Sequence, residues 1–390
     1  MLKAIIFDMD GVIIDSEPQH ARAALQVFEQ NGVHTDLDYC NSFIGSTTKH
    51  MAEVSIKKFH MNITVEELLE QNNRAKAELA AKEGYIPIPG IQELLEELHR
   101  HNIQLAIASS SSNREIEHVV KSLGIQKYFD KLVSGTQTER PKPAPDIFQM
   151  TLKKLGISPK EALVIEDSQN GTEAAVAAGI AAVGYLNPHS GSQSLSNASV
   201  IVSSLEGLDT AFFENVLQRS QGKPITIAST KRLVIRELAQ DDIDDMYHIF
   251  QDPKIREFVD NIDDYKQAEK DKLNAYIKNV YSFYGYGLWG VFSKTTRGLI
   301  GRCGIENQNI DGKEEIMLSY LLDSQHWGYG YAIECCKAVL DYAREDLEIK
   351  RVVAVIDKRN TRSIHTAQKL GMKPEKELVY HGRDSILYVQ

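Results

Sequence analysis

The fold of the first half of the chain is decided by the stretch Lys3-Ala4-Ile5-Ile6-Phe7-Asp8-Met9-Asp10-Gly11. Its apolar, β-branched residues up to Phe7 predict a buried strand, and the polar residues after them predict a loop at the strand's carboxyl end. Ligands of open α/β sheets bind beside the carboxyl ends of the strands. Because Asp8 and Asp10 are one residue apart in this loop, we expect both carboxylates to reach one crevice.

Short apolar runs alternate with helical patterns through the rest of the first half. Further strand-like runs lie at Ile103–Ala108 and Ala162–Ile165, and helical patterns follow them. This alternation predicts a parallel sheet covered by helices. An inserted helical domain is predicted from three helical segments, at Gln19–Gln30, Lys49–Phe59 and Val65–Ala81. One more β-α unit, at Ser199–Val202 and Leu205–Leu217, ends this part of the chain.

Polar residues accompany the ends of the predicted strands. Ser109 ends one strand, the pair Glu166-Asp167 ends another, and Lys142, between them in the chain, is expected at the end of a further strand. Two aspartates, a hydroxyl, an ammonium and two more acids in this order are typical of phosphoryl transfer through an aspartyl-phosphate. We expect Asp8 to attack phosphorus, with Lys142 and a divalent cation neutralising the negative charge. Ser109 would bind the nonbridging oxygens, and Asp10 would act first as general acid and then as general base.

Four motifs of this half are similar to those of one enzyme superfamily. In chain order they are FDMDGVIIDSEP, AIASSSSN, RPKPAPDIF and VIEDSQNG. Together they resemble the haloacid dehalogenase superfamily, in its β-phosphoglucomutase-like phosphatase branch. The resemblance implies a Rossmann-like core at residues 1–219, with a helical cap inserted at about residues 16–86. It also implies a small phosphorylated metabolite as substrate, and Mg²⁺ held by Asp8, the backbone carbonyl of Asp10 and Asp167, with Glu166 close by.

The same branch contains sugar phosphate mutases, so a mutase remains the alternative. These mutases carry a cap arginine, three residues after a glycine, which holds the second phosphate of the substrate. Gly45 matches that glycine, but Thr48 stands where the arginine would be. Because a neutral hydroxyl cannot bind phosphate in the bidentate manner of a guanidinium, we favour a phosphatase. His20 on the first cap helix is shared with the mutases and keeps the alternative open.

A linker to a second domain is predicted at Ser220-Gln221-Gly222-Lys223-Pro224, where glycine and proline stand outside any periodic pattern. The strand patterns that follow are Leu233–Arg236, Leu288–Ser293, Gly298–Asn307, Glu315–Leu322 and Arg351–Asp357. Helical patterns lie between and after them, at Asp242–Phe250, Tyr331–Arg344 and Ser363–Leu370. This order predicts a second, mixed α/β domain at residues 229–390.

A glycine loop precedes the long helix of this domain, at Trp327-Gly328-Tyr329-Gly330-Tyr331-Ala332. Backbone N–H groups of such a loop and of a helix N-terminus bind anions, so a pyrophosphate would suit it. The dinucleotide-binding fingerprint is not met, because a third glycine and a later acidic residue are not present in order. A second signature follows a strand, with Asn360, Ser363 three residues later, and the turn Leu370-Gly371.

The second half resembles the GNAT acyltransferases, in their RimJ/RimL-like branch, through TKRLVIREL, LIGRCGIENQ, SYLLDSQHWGYGYAIE and NTRSIHTAQKLGM. This resemblance implies acetyl-CoA as donor and an amine as acceptor, either a small molecule or a protein N-terminus. The pantetheine would pair with the splayed strand at Tyr320, Leu321 and Leu322, with Asn360 near it. The pyrophosphate would lie on the backbone of the six loop residues Trp327, Gly328, Tyr329, Gly330, Tyr331 and Ala332.

The acid and base of acetyl transfer follow less directly from the motifs. Many GNAT enzymes place a tyrosine acid seven residues after this asparagine, where the present chain has Ala367. We name Ser363 as the substitute acid for the leaving thiolate. The general base is left open among Glu306, His365 and His381.

The composition of the chain argues against several other classes of function. The 390 residues include 44 Lys and Arg against 54 Asp and Glu, a net charge of −10 that argues against nucleic acid or an anionic membrane as partner. No apolar run reaches the ~18 residues of a membrane span. The 4 cysteines show neither a disulfide nor a metal-binding spacing, which favours a cytoplasmic protein. We therefore expect a bifunctional phosphatase and N-acetyltransferase; the alternative is a mutase joined to a degenerate acyl-CoA-binding sensor.

Overall fold

The computed structural model describes residues 1–43, 48–259, 262–281 and 284–390 of the chain. The chain divides into two compact units, Met1–Gln221 and Gly222–Gln390. This division falls inside the segment that the sequence suggests as a linker. Each unit has its own sheet and its own apolar clusters.

The first unit is built on the strands β1 Ala4–Phe7, β2 Gln104–Ser109, β3 Lys131–Ser134, β4 Ala162–Glu166, β5 Ala181–Tyr185 and β6 Val200–Val202. They form one sheet in the order β3-β2-β1-β4-β5-β6, with parallel pairing throughout. Strand β1 is apolar at every position because both faces are covered. Ile5 and Phe7 belong to one buried cluster, and Ala4 and Ile6 belong to another. The predicted parallel α/β core is confirmed.

The register of the central strands positions the first site. Strand β1 lies between β2 and β4, and Phe7 is level with Ile107 and Ile165. The next residue, Asp8, is therefore level with Ala108, one residue before the end of β2, and with Glu166, the last residue of β4. Polar residues that follow these strands converge at one edge of the sheet, as the sequence predicts.

The helical insert is a separate layer beside this sheet. It holds the helices α1 Glu17–Gln30, α2 Leu37–Asn41, α3 Thr48–Phe59 and α4 Val65–Glu83. They bury their own apolar cluster, which includes Phe28 and Leu68. Helix α4 begins with a capping box, in which Glu67 N–H donates to the Thr64 hydroxyl and Thr64 N–H donates to the Glu67 carboxylate. The predicted helical cap is confirmed.

The core helices of the first unit are α5 Ile91–Arg100, α6 Asn113–Ser122, α7 Asp146–Leu155, α8 Gln169–Ala177 and α9 Thr210–Ser220. Helix α9 begins five residues later than the predicted Leu205. The reason is local, since Gly207 adopts a φ of 76° and Asp209 caps the helix by accepting a hydrogen bond from Phe212 N–H.

The second unit is built on β7 Thr226–Ser229, β8 Leu233–Arg236, β9 Leu288–Ser293, β10 Leu299–Ile310, β11 Lys313–Leu322, β12 Val353–Asp357, β13 Lys373–Tyr380 and β14 Arg383–Val389. The sheet order is β13-β14-β12-β11-β10-β9-β8-β7. Strands β11 and β12 pair in parallel, and the other neighbours pair antiparallel. The predicted mixed sheet is confirmed.

Strands β11 and β12 separate after one point of contact. Their pairing joins Met317 to Val353, whereas β11 pairs with β10 along its whole length, as far as Leu322. The carboxyl-terminal parts of β11 and β12 therefore face each other across a gap in the sheet. This gap is the splay that the sequence places around Tyr320.

The helices of the second unit are α10 Ile243–Phe250, α11 Pro253–Arg256, α12 Lys266–Tyr276, α13 Tyr331–Glu345 and α14 Thr361–Lys369. A π-helical turn, Ile277–Tyr281, extends α12. Asn360 caps α14 by accepting a hydrogen bond from Ser363 N–H at 3.1 Å. Within the described ranges of both units, no helix has the length and apolar character needed to cross a membrane.

Candidate active sites

An ammonium and three carboxylates meet at the carboxyl ends of β1 and β4. Lys142 Nζ lies 2.5 Å from Asp8 Oδ1 and 2.5 Å from Glu166 Oε1. It also donates to the carbonyl oxygen of Ala108 at 3.1 Å. Carboxylate oxygens of Asp8, Glu166 and Asp167 lie within 4.8 Å of one another. Lys142 lies in the loop between β3 and α7 and not at a strand end. The structure nevertheless brings it into contact with the residues that the motifs suggest.

Burial dominates the electrostatics of this carboxylate cluster. It raises the pKa of Asp8, although Lys142 opposes the increase. Burial, with the neighbouring Glu166 carboxylate, raises the pKa of Asp167 to about 7. Burial acts to lower the pKa of Lys142, but the attraction of Asp8 and Glu166 raises it overall. With one ammonium among three carboxylates, the ionised cluster has two excess negative charges, which a divalent cation would balance.

The donor set fits Mg²⁺. Carboxylate and carbonyl oxygens are the hard ligands that this cation prefers. Gly11 lies directly against Asp167, because a Cβ at this glycine would be 2.0 Å from Asp167 Oδ2, and its φ is 82°. The loop that carries the Asp10 carbonyl therefore passes beside the cluster. The Asp10 carboxylate itself lies outside the group of three and accepts a hydrogen bond from Ser111 Oγ at 3.0 Å.

Several residues that support the carboxylate cluster are not predicted from the sequence. Asn187 Nδ2 donates to the Gly11 carbonyl at 3.0 Å, and the Ser190 hydroxyl donates to Asp167. Ser168 Oγ donates to Glu166 Oε2 at 2.9 Å. Asn187 and Ser190 follow β5, a strand that the sequence analysis does not identify. Ligand residues tend to follow strand ends, so recognising β5 in the sequence would have indicated Asn187 and Ser190.

Ser109 is buried at the end of β2. Its hydroxyl accepts a hydrogen bond from Ser111 N–H at 3.0 Å, which shapes the loop after the strand. Ser134 Oγ donates to the Ser111 carbonyl from the neighbouring strand. The binding of phosphate oxygens by Ser109 stays a prediction.

Ionisable residues of the cap lie close to Asp10. Burial raises the pKa of Glu17 on α1, and burial together with Lys76 lowers the pKa of His20 to about 4. Burial also lowers the pKa of Lys76 on α4, against the attraction of Asp10. His20 is half-buried, and its lowered pKa favours the neutral imidazole beside these charged groups. Thr48 begins α3, whereas Gly45, the glycine of the mutase comparison, lies outside the described residues.

A cavity of about 640 Å³ occupies the gap in the second sheet. Its walls include the predicted residues Tyr320, Leu321, Asn360 and Ser363. Tyr320 Oη donates to Ser363 Oγ at 3.1 Å. Burial raises the pKa of the Tyr320 hydroxyl. The strand and the helix start that the resemblance assigns to pantetheine binding are thus brought together.

The glycine loop lies beside this gap and not in its lining. Trp327 Nε1 donates to the carbonyl of Leu322, the last residue of β11, at 2.8 Å. Gly328 and Gly330 both have a φ of 81°, and Gly330 precedes the first residue of α13. Tyr329 is 65 % exposed. The loop therefore presents an accessible backbone at the N-terminus of a long helix.

The three candidate bases occupy different places. Glu306 and His381 line the cavity. Glu306 Oε1 accepts a hydrogen bond from Tyr276 Oη at 2.8 Å. His365 is exposed on α14 and does not belong to the described lining. The position of Glu306 supports it as a base better than that of His365.

Three cysteines, which the sequence spacing does not associate, are neighbours in the core of the second unit. The sulfur atoms of Cys303, Cys335 and Cys336 lie within 4.8 Å of one another, with 3.7 Å between those of Cys303 and Cys336. All three side chains are buried among apolar residues. They fill the space between β10 and α13.

Comparison with known families identifies both units. Residues 5–185 match the model of the haloacid dehalogenase-like hydrolases, and residues 232–373 match that of the GNAT acetyltransferase domain. The chain belongs to the haloacid dehalogenase-like hydrolases, and it carries a GNAT acetyltransferase domain. It is an enzyme of both types, a phosphatase and an N-acetyltransferase. Both resemblances drawn from the sequence motifs are confirmed.

Curated relatives match about half of the chain. A phosphorylated carbohydrates phosphatase of Thermotoga maritima is 33% identical over 183 residues, which cover 46% of this chain and 82% of that protein. A fructose-1-phosphate phosphatase of Escherichia coli is 30% identical over a match that covers 46% of this chain and 94% of that protein. A β-phosphoglucomutase of Bacillus subtilis is 34% identical over a match that covers 47% of this chain and 83% of that protein.

Proposed function

We propose that the first unit hydrolyses a small phosphorylated sugar through an aspartyl-phosphate on Asp8. The observation that carries this proposal is the buried contact of Lys142 with Asp8 and Glu166. An anionic nucleophile can approach an anionic phosphate only where cations neutralise the charge. The relatives that are named for phosphorylated carbohydrates and for fructose 1-phosphate support a sugar phosphate as substrate.

The residues suggest a division of the chemistry. Asp8 forms a bond to phosphorus while the bond to the leaving oxygen breaks, and Lys142 holds the Asp8 carboxylate in position. Asp10, oriented by Ser111, gives its proton to the leaving oxygen and then takes a proton from the water that hydrolyses the phosphoenzyme. Mg²⁺, held by Asp8, the Asp10 carbonyl and Asp167, would supply neutralising charge at the phosphate oxygens.

We further propose that the second unit transfers an acetyl group from acetyl-CoA to an amine by direct attack. The gap between β11 and β12 supports pantetheine binding, because the amides of that arm need hydrogen-bonding partners from unpaired strand edges. Ser363 Oγ accepts from Tyr320, so its own hydrogen is available for the leaving thiolate. Glu306, held by Tyr276, is the base that the cavity lining favours, with His381 as the alternative.

Two observations favour the mutase alternative. The β-phosphoglucomutase relative is as similar to this chain as the phosphatases are, and His20 is half-buried near Lys76 and Asp10. Thr48 argues against it, because a hydroxyl does not replace an arginine at a phosphate. Incubation with sugar monophosphates separates the two functions, since a mutase yields an isomer and a phosphatase yields inorganic phosphate.

Replacing the nucleophile tests the mechanism directly. We expect Asp8→Asn to abolish phosphate release, because an amide does not attack phosphorus, while the nearly isosteric side chain preserves the fold. Phosphate release with Mg²⁺ and circular dichroism are the measurements. Asp209→Asn, a surface change of the same chemistry at the cap of α9, serves as the control and should keep wild-type turnover. Substantial Mg²⁺-dependent turnover by Asp8→Asn would exclude Asp8 as the nucleophile.

The acetyltransferase proposal has its own test. Release of coenzyme A from acetyl-CoA across a panel of amines measures transfer even while the acceptor is unidentified. Binding of acetyl-CoA with no release for any amine would favour the sensor alternative.

The cysteines, all of them free thiols, support a reducing compartment such as the cytoplasm for both activities.

A further inference from the structure

Two arginines stack on aromatic rings of the glycine loop, and they differ in whether the guanidinium also pairs with a carboxylate. The Arg232 guanidinium lies 4.3 Å from the ring centroid of Tyr331, and that of Arg362 lies 3.9 Å from the ring of Trp327. Arg232 Nε donates to Glu334 Oε2 at 2.6 Å, and its Nη1 donates to the Tyr329 carbonyl at 2.9 Å. The charge of Arg232 is therefore already compensated, and its role is to hold the loop against α13.

Arg362 remains available for a ligand. It is exposed on the first turn of α14. In the described part of the chain, its guanidinium contacts the Trp327 ring and pairs with no carboxylate. Stacking leaves the in-plane N–H donors of a guanidinium unused, and those donors match the geometry of a phosphate. Arg362 is thus a pre-positioned, uncompensated cation.

The place of this stack in the fold indicates what the cation would meet. Trp327 is fixed to the end of β11 by its hydrogen bond to Leu322, and Arg362 lies just beyond β12, after the cap residue Asn360. The contact therefore joins the two separated strands across the open end of their gap. A ligand that extends from the gap to the glycine loop passes this point.

We propose that Arg362 binds a phosphate group of the coenzyme at the open end of the gap between β11 and β12. This inference rests on the proposed acetyl-CoA site and adds a specificity residue that lies outside the glycine loop. The shared chemistry is a phosphate, which comes either from the pyrophosphate or from the 3′-phosphate of coenzyme A. Arg362 would select donors that carry phosphate over bare acyl-pantetheine.

Calorimetric titration of three donors tests the proposal without any acceptor amine. We expect Arg362→Gln to weaken acetyl-CoA binding about fivefold at low salt, and less at high salt, where exposed charges are screened. Binding of acetyl-pantetheine should not change. With acetyl-dephospho-CoA, a retained loss assigns Arg362 to the pyrophosphate, and a vanished loss assigns it to the 3′-phosphate. Arg362→Lys should recover only part of the affinity, because lysine lacks the planar fork.

Lys369→Gln is the matched control, since it removes one exposed positive charge from the last turn of the same helix. It should bind acetyl-CoA as the wild type does. Unchanged or tighter binding by a folded Arg362→Gln protein would overturn the inference, and tighter binding would identify the stack as a barrier across the gap. If the wild type binds no acetyl-CoA, the proposed coenzyme site fails as well.

Discussion

Asp8 and Asp10 differ in burial, and the difference suits their proposed roles. Asp8 is 7 % exposed and held by Lys142, so its carboxylate is fixed where a nucleophile must be fixed. Asp10 is half-buried, lies close to charged residues of the cap, and is held by one hydroxyl, that of Ser111. An acid and base that exchanges protons with a leaving group and with water needs such access.

The pKa of Asp167 predicts how stability depends on pH when no cation is bound. It is about 7 in the folded chain, against about 3.9 for an unfolded aspartate. Between these values the folded state holds a proton that the unfolded state has lost, so stability falls as pH rises from about 4 to about 7, by at most ~1.4 kcal/mol per unit. We expect the melting temperature in EDTA to fall over this range.

Mg²⁺ should reduce this pH dependence, because the cation binds the ionised carboxylates of the folded state alone. Thermal unfolding with EDTA and with excess Mg²⁺ is the measurement. Asp167→Asn is the control, since it removes one titrating group and should make the EDTA profile less steep, while Asp8, whose pKa is also raised, retains part of the dependence. Identical profiles in EDTA and Mg²⁺ would contradict a cation site at this cluster.

Much of the first site could be predicted from the sequence at the level of single residues. Asp8, Glu166 and Asp167 stand at strand ends, and parallel strands bring such residues together. Asn187 and Ser190 could not be predicted, because the short strand before them contains a glycine and has no clear apolar period. The roles of the assembled residues stay predictions until they are tested by substitution.

At the scale of elements, the sequence predicts most strands that have an apolar pattern but not the edge strands β3, β7 and β13. Strand β12 is apolar and mostly buried, and its pattern is visible in the sequence. Strand β13, with the sequence KPEKELVY, is largely exposed at the edge of the sheet. An exposed edge strand has no buried face to impose an alternating apolar pattern, and its charges protect it from pairing with other chains.

The glycine loop gives a prediction for an element. Gly330 has a φ of 81°, and among the described residues a Cβ there would contact only Arg232 Nη2, at 3.7 Å. The cost of a side chain is therefore conformational, because a β-branched residue rarely adopts this φ. We expect Gly330→Val to turn the loop N–H groups away and to weaken acetyl-CoA binding by at least ~1.4 kcal/mol, a tenfold loss. Calorimetry with acetyl-CoA is the measurement.

Gly312→Val is the control for Gly330→Val. Gly312 has a φ of 79° in the turn between β10 and β11 and an equally open surrounding. The same backbone strain at this turn should leave coenzyme affinity unchanged. Equal affinity of wild type and folded Gly330→Val would show that the loop does not bind the coenzyme.

At the scale of the whole molecule, the two units should fold independently. Each has its own sheet and buried clusters, and the chain divides between Gln221 and Gly222. We expect fragments 1–221 and 222–390 to be soluble, with phosphatase turnover of the first and acetyl-CoA affinity of the second close to those of the full chain. Circular dichroism and the two assays check this.

Limited proteolysis of the full chain provides an independent measurement. Cleavage near residues 220–224 should release two stable fragments, because a linker outside both cores is accessible to proteases. If neither fragment is soluble alone, the chain folds as one cooperative body and the boundary suggested by the sequence is wrong.

The single pairing between β11 and β12 has a consequence for the lifetime of the protein. Backbone pairing between these two strands is sparse, so side-chain packing contributes much of what holds the two parts of the sheet together. A ligand that pairs with the edges of both strands links the two parts of the sheet and stabilises only the folded state. At a hundredfold excess over its dissociation constant, such a ligand raises the free energy of unfolding by about 2.7 kcal/mol. The lifetime of the folded second unit would then depend on the concentration of the proposed coenzyme.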